Sequence, residues 1–168
     1  RLILALAHHE PEGRHDYGRV AARAVRTGDG WRLEGRKSVV LDGPLADRFL
    51  VSARMGDGAD APQGLFLLAR NAPGMAVSGF PIVDGRRAAN LVLDGVRVED
   101  GDRLGGEADQ APAVMAAVGR AVVALAADAI GAMQVLLDKT IEPTKTRVQF
   151  GQPLAANQGL RHRMVGMA

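Results

Sequence analysis

Up to about residue 105 the apolar positions come in short runs separated by Gly, Asp and Pro. Leu2-Ile3-Leu4-Ala5-Leu6 is continuous, the pattern of a strand buried on both faces. Val20, Ala22 and Ala24 alternate with polar or small neighbours, and Gly28-Asp29-Gly30 then turns the chain into Trp31-Arg32-Leu33, a hairpin signal. Further strand-like runs lie at residues 38–41, 48–53, 64–69, 75–78 and 90–98. Turn chemistry separates them at Gly43-Pro44, Gly56-Asp57-Gly58, Ala72-Pro73-Gly74 and Asp84-Gly85. Strands this short and this closely spaced predict a barrel or sandwich.

Near Ala111 the period changes. Pro112 suits a first helical turn. Residues 116–137 are dense in Ala, Val, Leu and Met, with Arg120, Asp128 and Gln134 as sparse polar groups. A helix that is apolar almost all round is either buried or in a membrane. Asp128, at mid-span, argues against the membrane, since a central carboxylate costs roughly 3 kcal/mol there. The expectation is the central helix of a bundle, broken or kinked near Pro143, then an amphipathic helix from about Ala155. The fold class is therefore α+β: an antiparallel β-barrel-like unit over residues 1–108, then a truncated α-helical bundle over 109–168. The chain opens at Arg1 in a strand pattern and stops at Ala168 in a helical one. A piece of a longer protein is expected, without a signal-peptide pattern.

Composition narrows the chemistry. With 168 residues, 47% hydrophobic and 24% charged, a core can be buried. The absence of Cys excludes disulfides, thiolate metal sites and cysteine nucleophiles. A net charge of +2 without a basic run, and only 4% aromatic residues, argue against nucleic acid.

Few residues invite catalysis. His8 and His9 are adjacent, so on a strand they point to opposite faces and cannot share one metal ion; no metal site is expected. They read as imidazoles at a strand end, before a Glu10-Pro11 break and a loop carrying His15 and Asp16. Gly105-Gly106 lacks the context of a dinucleotide fingerprint, and Asp84-Gly85-Arg86-Arg87 reads as an exposed turn. The segment Arg147-Val148-Gln149-Phe150-Gly151-Gln152-Pro153-Leu154 is more unusual. It joins two helices with a fixed cation and an amide beside an aromatic, a set suited either to a phosphate plus a flat ring or to a polar helix corner.

That segment, followed by Asn157-Gln158-Gly159-Leu160-Arg161-His162-Arg163-Met164, resembles a helix junction of the acyl-CoA dehydrogenases. Other motifs match in order: Glu10-Pro11 with Asp16, Gly35-Arg36-Lys37, Ala46-Asp47, Pro73-Gly74, Gly85 with Arg87, Asp94 with Val96, and Leu104-Gly105. The resemblance covers the whole chain and implies the family's middle β domain and the start of its C-terminal helical domain. It implies FAD as cofactor, an acyl-CoA as substrate, oxidation to the trans-2-enoyl-CoA, and a homo- or hetero-oligomer in the cytoplasm. It implies that Arg147, Gln149 and Phe150 reach an FAD held mainly by a neighbouring subunit, with His9 standing where the family has Thr. After Gly-x-Lys the family has an aromatic, an aliphatic and a Thr or Ser; here these are Val39, Val40 and Leu41. The motifs around His9 and Lys37 look closest to small subunits of pimeloyl-CoA-type dehydrogenases. No catalytic base is identified, Asp128 reading as a packing group. A catalytically silent subunit completing a partner's FAD site, or a flavin oxidase or monooxygenase, stays open beside the dehydrogenase.

Overall fold

The computed structural model describes residues 2–14, 16–28, 30–56, 58 and 60–167. His15, Asp29 and Asp57, assigned above to a loop and two turns, lie outside these. The chain divides into two compact units, Arg1–Ala116 and Ala117–Ala168.

The first unit is built on one eight-stranded sheet among the described residues. Its strands are β1 (Leu4–Ala7), β2 (Arg23–Thr27), β3 (Gly30–Leu41), β4 (Arg48–Met55), β5 (Gln63–Ala69), β6 (Met75–Pro81), β7 (Arg87–Glu99) and β8 (Arg103–Leu104). The order is β6-β7-β3-β2-β4-β5-β8, with β1 on β4. The sheet is not closed into a barrel, which corrects the barrel expectation. It is also not wholly antiparallel: β1 and β2 both run parallel to β4. The two corrections share a cause. β1 pairs with residues 48–51 of β4 and β2 with residues 54 and 55, so the two lie end to end along one edge of β4. The chain between them, residues 8–22, leaves that edge and returns to it.

Alternation puts Ala5, Ala7, Ala24, Leu33, Phe49, Val51, Leu91 and Val96 in the core. The small alanines let neighbouring segments approach closely. β1 itself is buried on one face only: Leu4 and Leu6 are 52% and 40% exposed, so the unbroken apolar run overstated its burial. Residues 31–33 and 38–41, read as separate strands, belong to the single strand β3.

That strand is irregular where it matters. Its register against β7 shifts between Leu33 and Gly35 and again between Lys37 and Val40. Val39 sits at the second bulge with φ 51, a conformation that β-branched residues rarely adopt, and its N–H donates to Asn90 Oδ1 at 3.2 Å. Gly35 has φ +140, and a Cβ there would lie 2.8 Å from both Cα and Cβ of Ala22. Gly35→Ala in the full-length protein is therefore expected to cost about 2 kcal/mol through overpacking, read as a lower denaturation midpoint at unchanged m-value.

Helix α1 spans Ala111–Thr146. Of the kink or break expected at Pro143, the break is absent: the helix continues through it and stops one turn later, where Arg147 N–H donates to Pro143 O at 2.8 Å. Proline forfeits one N–H, and here the chain leaves the helix within a turn. Within the described residues most apolar side chains of α1 are uncovered. Val123, Leu125 and Leu136 are 70%, 65% and 65% exposed, and Asp128 is exposed too. By length and composition α1 could cross a membrane, but Asp128 and Gly131 stand in the middle of the candidate span. After α1 come β9 (Val148–Gln149) and β10 (Gln152–Pro153), a two-stranded hairpin. Helix α2 (Gln158–Val165) follows, capped by Asn157, whose side chain accepts from Gly159 N–H.

Candidate functional site

Two clusters of polar residues stand out, one in each unit. The first lies at the base of the 8–22 loop. Glu10 follows β1 and turns inward, where Oε2 accepts from Ala21 N–H at 2.5 Å and Oε1 from Ala22 N–H at 3.0 Å. Lys37, on β3, reaches the same carboxylate: Nζ is 2.6 Å from Glu10 Oε1, with side chains 0% and 2% exposed. The ammonium also donates to Ser52 Oγ at 3.1 Å and His8 O at 3.3 Å, so all three of its protons are used. Ser52 Oγ lies 2.8 Å from His8 Nδ1, and His8 Nε2 lies 2.7 Å from Tyr17 O. A carbonyl only accepts, so Nε2 carries the His8 proton and Nδ1 accepts from the Ser52 hydroxyl. The network is closed and gathers both ends of the loop, β3 and β4.

Burial pushes Lys37 down to about 8, although the adjacent Glu10 charge pulls it back. Burial likewise holds His8 below the usual histidine value. The Tyr17 carbonyl opposes that shift, and the Lys37 charge adds to it. Because the folded state is harder to protonate at His8 than the unfolded chain, the unfolded state gains protons first as pH falls. Stability from this group is complete above about pH 6.5 and is lost below it, through the lower folded value. The slope of melting temperature against pH over pH 6.5–5 is expected to be shallower in His8→Asn than in the wild type.

His9 points elsewhere. Nε2 is 2.6 Å from Arg14 O and Nδ1 is 2.8 Å from Ser38 Oγ, while Ser38 N–H donates to His9 O at 2.8 Å. By the same reasoning Nε2 is protonated. Both ring nitrogens are thus engaged by the chain's own groups, which leaves no ring N–H free for an external one. Asp16 caps its own turn, with Oδ1 accepting from Gly18 N–H at 2.9 Å. Among the described residues no three His, Asp or Glu side chains gather as metal ligands.

The second cluster is the hairpin. Gln149 pairs with Gln152, leaving Phe150 and Gly151 as a two-residue turn with φ 55 and 79. Two successive left-handed residues are a type I′ turn, where Asn-Gly is the favoured pair. Phe in the first position is strained, and here its side chain is 100% exposed. Neither packing nor backbone preference explains that residue. Arg147 precedes the hairpin and is exposed, and its guanidinium makes no hydrogen bond or ion pair among the described residues. Gln149 is exposed as well. The segment read above as joining two helices directly is thus a short hairpin between them, without the turn residues that would announce one. The turn at Asp84 is a plain one, its carboxylate pairing with Arg86 Nε at 2.7 Å.

An always-charged fork, an amide and an exposed aromatic are the donor set that a diphosphate attached to a flat ring requires, so the hairpin fits FAD. The first unit offers apolar Val39 and Leu41, 46% and 43% exposed, and the engaged His9.

Residues 5–96 match the middle domain of the acyl-CoA dehydrogenases, and residues 111–168 match the C-terminal domain. An acyl-CoA dehydrogenase of Bacillus subtilis is 30% identical over 168 residues, 98% of this chain and 44% of the relative. An L-prolyl-[peptidyl-carrier protein] dehydrogenase of Pseudomonas fluorescens is 33% identical over 94% of this chain and 43% of its own length. Among solved structures, a glutaryl-CoA dehydrogenase of Mycobacterium smegmatis in complex with FADH2 superposes with a TM-score of 0.84 at 27% identity, covering 98% of this chain and 42% of that one. The chain thus spans less than half the length of the relatives it matches. With both family domains matched in order and the open sheet and long helix in their places, the chain belongs to the acyl-CoA dehydrogenase family.

Proposed function

We propose that the chain works as part of an FAD-dependent acyl-CoA dehydrogenase that oxidises an acyl-CoA to the trans-2-enoyl-CoA. The observation that carries this is the hairpin: a strained, fully exposed Phe150 beside an exposed Arg147 whose guanidinium has no partner among the described residues. Bound FAD supplies the acceptor for the hydride leaving the substrate's β-carbon. Arg147 holds diphosphate oxygens in its fork, Gln149 adds an amide, and Phe150 covers apolar surface of the cofactor. This FAD is shared with a neighbouring subunit. In the first unit, Val39 and Leu41 are the exposed apolar residues at the positions where the family covers the ring of its own flavin, and both nitrogens of His9 are engaged by Ser38 and Arg14. Nothing in the chain is assigned as the base that removes the α-proton. The cytoplasm is the proposed location.

The test uses the full-length protein, purified alone and with its genomic neighbour. A flavin absorption band that bleaches on anaerobic addition of an acyl-CoA supports the dehydrogenase. One specific pair of residues favours a second reading, the catalytically silent subunit of a heteromer: Leu41 has no hydroxyl for the hydrogen bond that Thr or Ser would make, and Val39 cannot stack on a ring as an aromatic would. In that case the lone protein is colourless and the co-purified complex carries the flavin. A colourless complex would refute both.

A further inference from the structure

Between Lys37 and Val40 strand β3 carries one residue more than its partner. Lys37 pairs with Leu91 and Val40 with Ala89, so Ser38 and Val39 together oppose Asn90 alone, a β-bulge. The bulge inverts the alternation along β3. Before it the odd positions Leu33 and Lys37 are buried; after it Val40 is buried and the odd positions Val39 and Leu41 are exposed. A strand that regained regular pairing would turn Val39 and Leu41 into the core and Val40 out of it, since a slip of one residue moves every side chain to the other face.

Two N–H groups of the bulge leave the ladder, and each finds its own partner. Ser38 N–H donates to His9 O at 2.8 Å, toward the 8–22 loop, and Val39 N–H donates to Asn90 Oδ1 at 3.2 Å. Val39 has φ 51, a backbone that suits Gly and costs a β-branched residue free energy. Such strain persists only where neighbours over-determine it, and it gathers at functional sites. The neighbour that holds the Val39 N–H is Asn90. Core packing does not require that side chain: Asn90 is exposed, between the buried Ala89 and Leu91.

We propose that Asn90 is a positioning residue for the flavin: its side-chain carbonyl holds the Val39 N–H in the bulge and so keeps Val39 and Leu41 on the exposed face that covers the ring. This rests on the reading of the chain as part of an FAD-dependent dehydrogenase. Asn90 acts through Val39 and Leu41 and needs no contact with the cofactor.

The test measures binding of FAD and of ADP by calorimetry to the flavin-free full-length protein, taken together with its genomic neighbour where only the complex carries flavin. ADP shares the diphosphate and lacks the ring. Asn90→Ala is expected to weaken FAD binding about fivefold, the effect of one ordinary hydrogen bond, and to leave ADP binding unchanged. In a Val39→Gly background the left-handed backbone needs no support, so adding Asn90→Ala should change FAD binding no further. Equal FAD affinity in wild type and Asn90→Ala would overturn the proposal, leaving the bulge to the sheet ladder. Equal losses for FAD and ADP would overturn it as well, making Asn90 a structural residue without bearing on the ring. So would an undiminished effect of Asn90→Ala in the Val39→Gly background, where no strained residue is left to hold. A wild type that binds no FAD is a different result: the flavin reading then fails and the proposal falls with it.

Discussion

Replacing Lys37 with Met in the full-length protein is expected to lower the unfolding free energy by about 3–5 kcal/mol, the usual cost of stranding one member of a buried ion pair. Glu10 would keep the two backbone N–H donors of Ala21 and Ala22 but lose the ammonium 2.6 Å away. Ser52 Oγ and His8 O would lose a donor at the same time. Set against a total stability of roughly 5–15 kcal/mol for a typical domain, that is a large fraction. The double variant Glu10→Gln/Lys37→Met is expected to recover much of the loss. Gln still accepts from one loop N–H, and Met fills the ammonium's path without a charge. Chemical denaturation of the wild type, both single variants and the double variant gives the coupling directly. A Lys37→Met midpoint within experimental error of the wild type would show that water reaches the pair.

For Arg147 the expected result is functional. In the assembled full-length oligomer, Arg147→Ala should weaken FAD binding about ten- to hundredfold, the effect of losing a charge-assisted hydrogen bond. Arg147→Lys should restore part of it, because the charge remains while the fork is lost. Melting temperature in the apo form separates this from a role in the turn. The guanidinium has no partner among the described residues, so its removal should leave the apo melting temperature unchanged. Unchanged flavin content in both variants would end the cofactor role. A lower apo melting temperature at full flavin content would assign Arg147 to the helix end instead.

What could be read from the residues follows from the range of the forces involved. The β2–β3 hairpin was legible because Gly28-Asp29-Gly30 is local chemistry between alternating segments, and Thr27 does pair with Gly30. Helix α1 was legible from its change of period. The parallel pairing of β1 with β4 was not, because it joins residues 44 positions apart, as Leu4 with Arg48, and leaves no mark on either strand alone. Taking the strands as neighbours in sequence led to a closed antiparallel barrel. The Lys37–Glu10 pair was in view only as two motif residues; that they meet depends on the bulged course of β3. The β9–β10 hairpin escaped because its strands are two residues each and Phe is the wrong residue for its turn. What covers α1 is not legible locally, because an apolar helix states that it needs covering and not which segment covers it.

The buried network also sets an order of events during synthesis. Lys37 emerges from the ribosome with Glu10 already outside, 27 residues ahead, but Ser52 follows 15 residues behind. At about 5–20 residues per second, that gap lasts on the order of one to three seconds. For that interval Lys37 and Glu10 are both outside without the Ser52 hydroxyl and without the β4 edge on which both ends of the 8–22 loop close. An ion pair in water is worth little, so the contact is not held until then. Arrival of β4 seals it, so a translational pause placed after Ser52 rather than before it would favour correct closure.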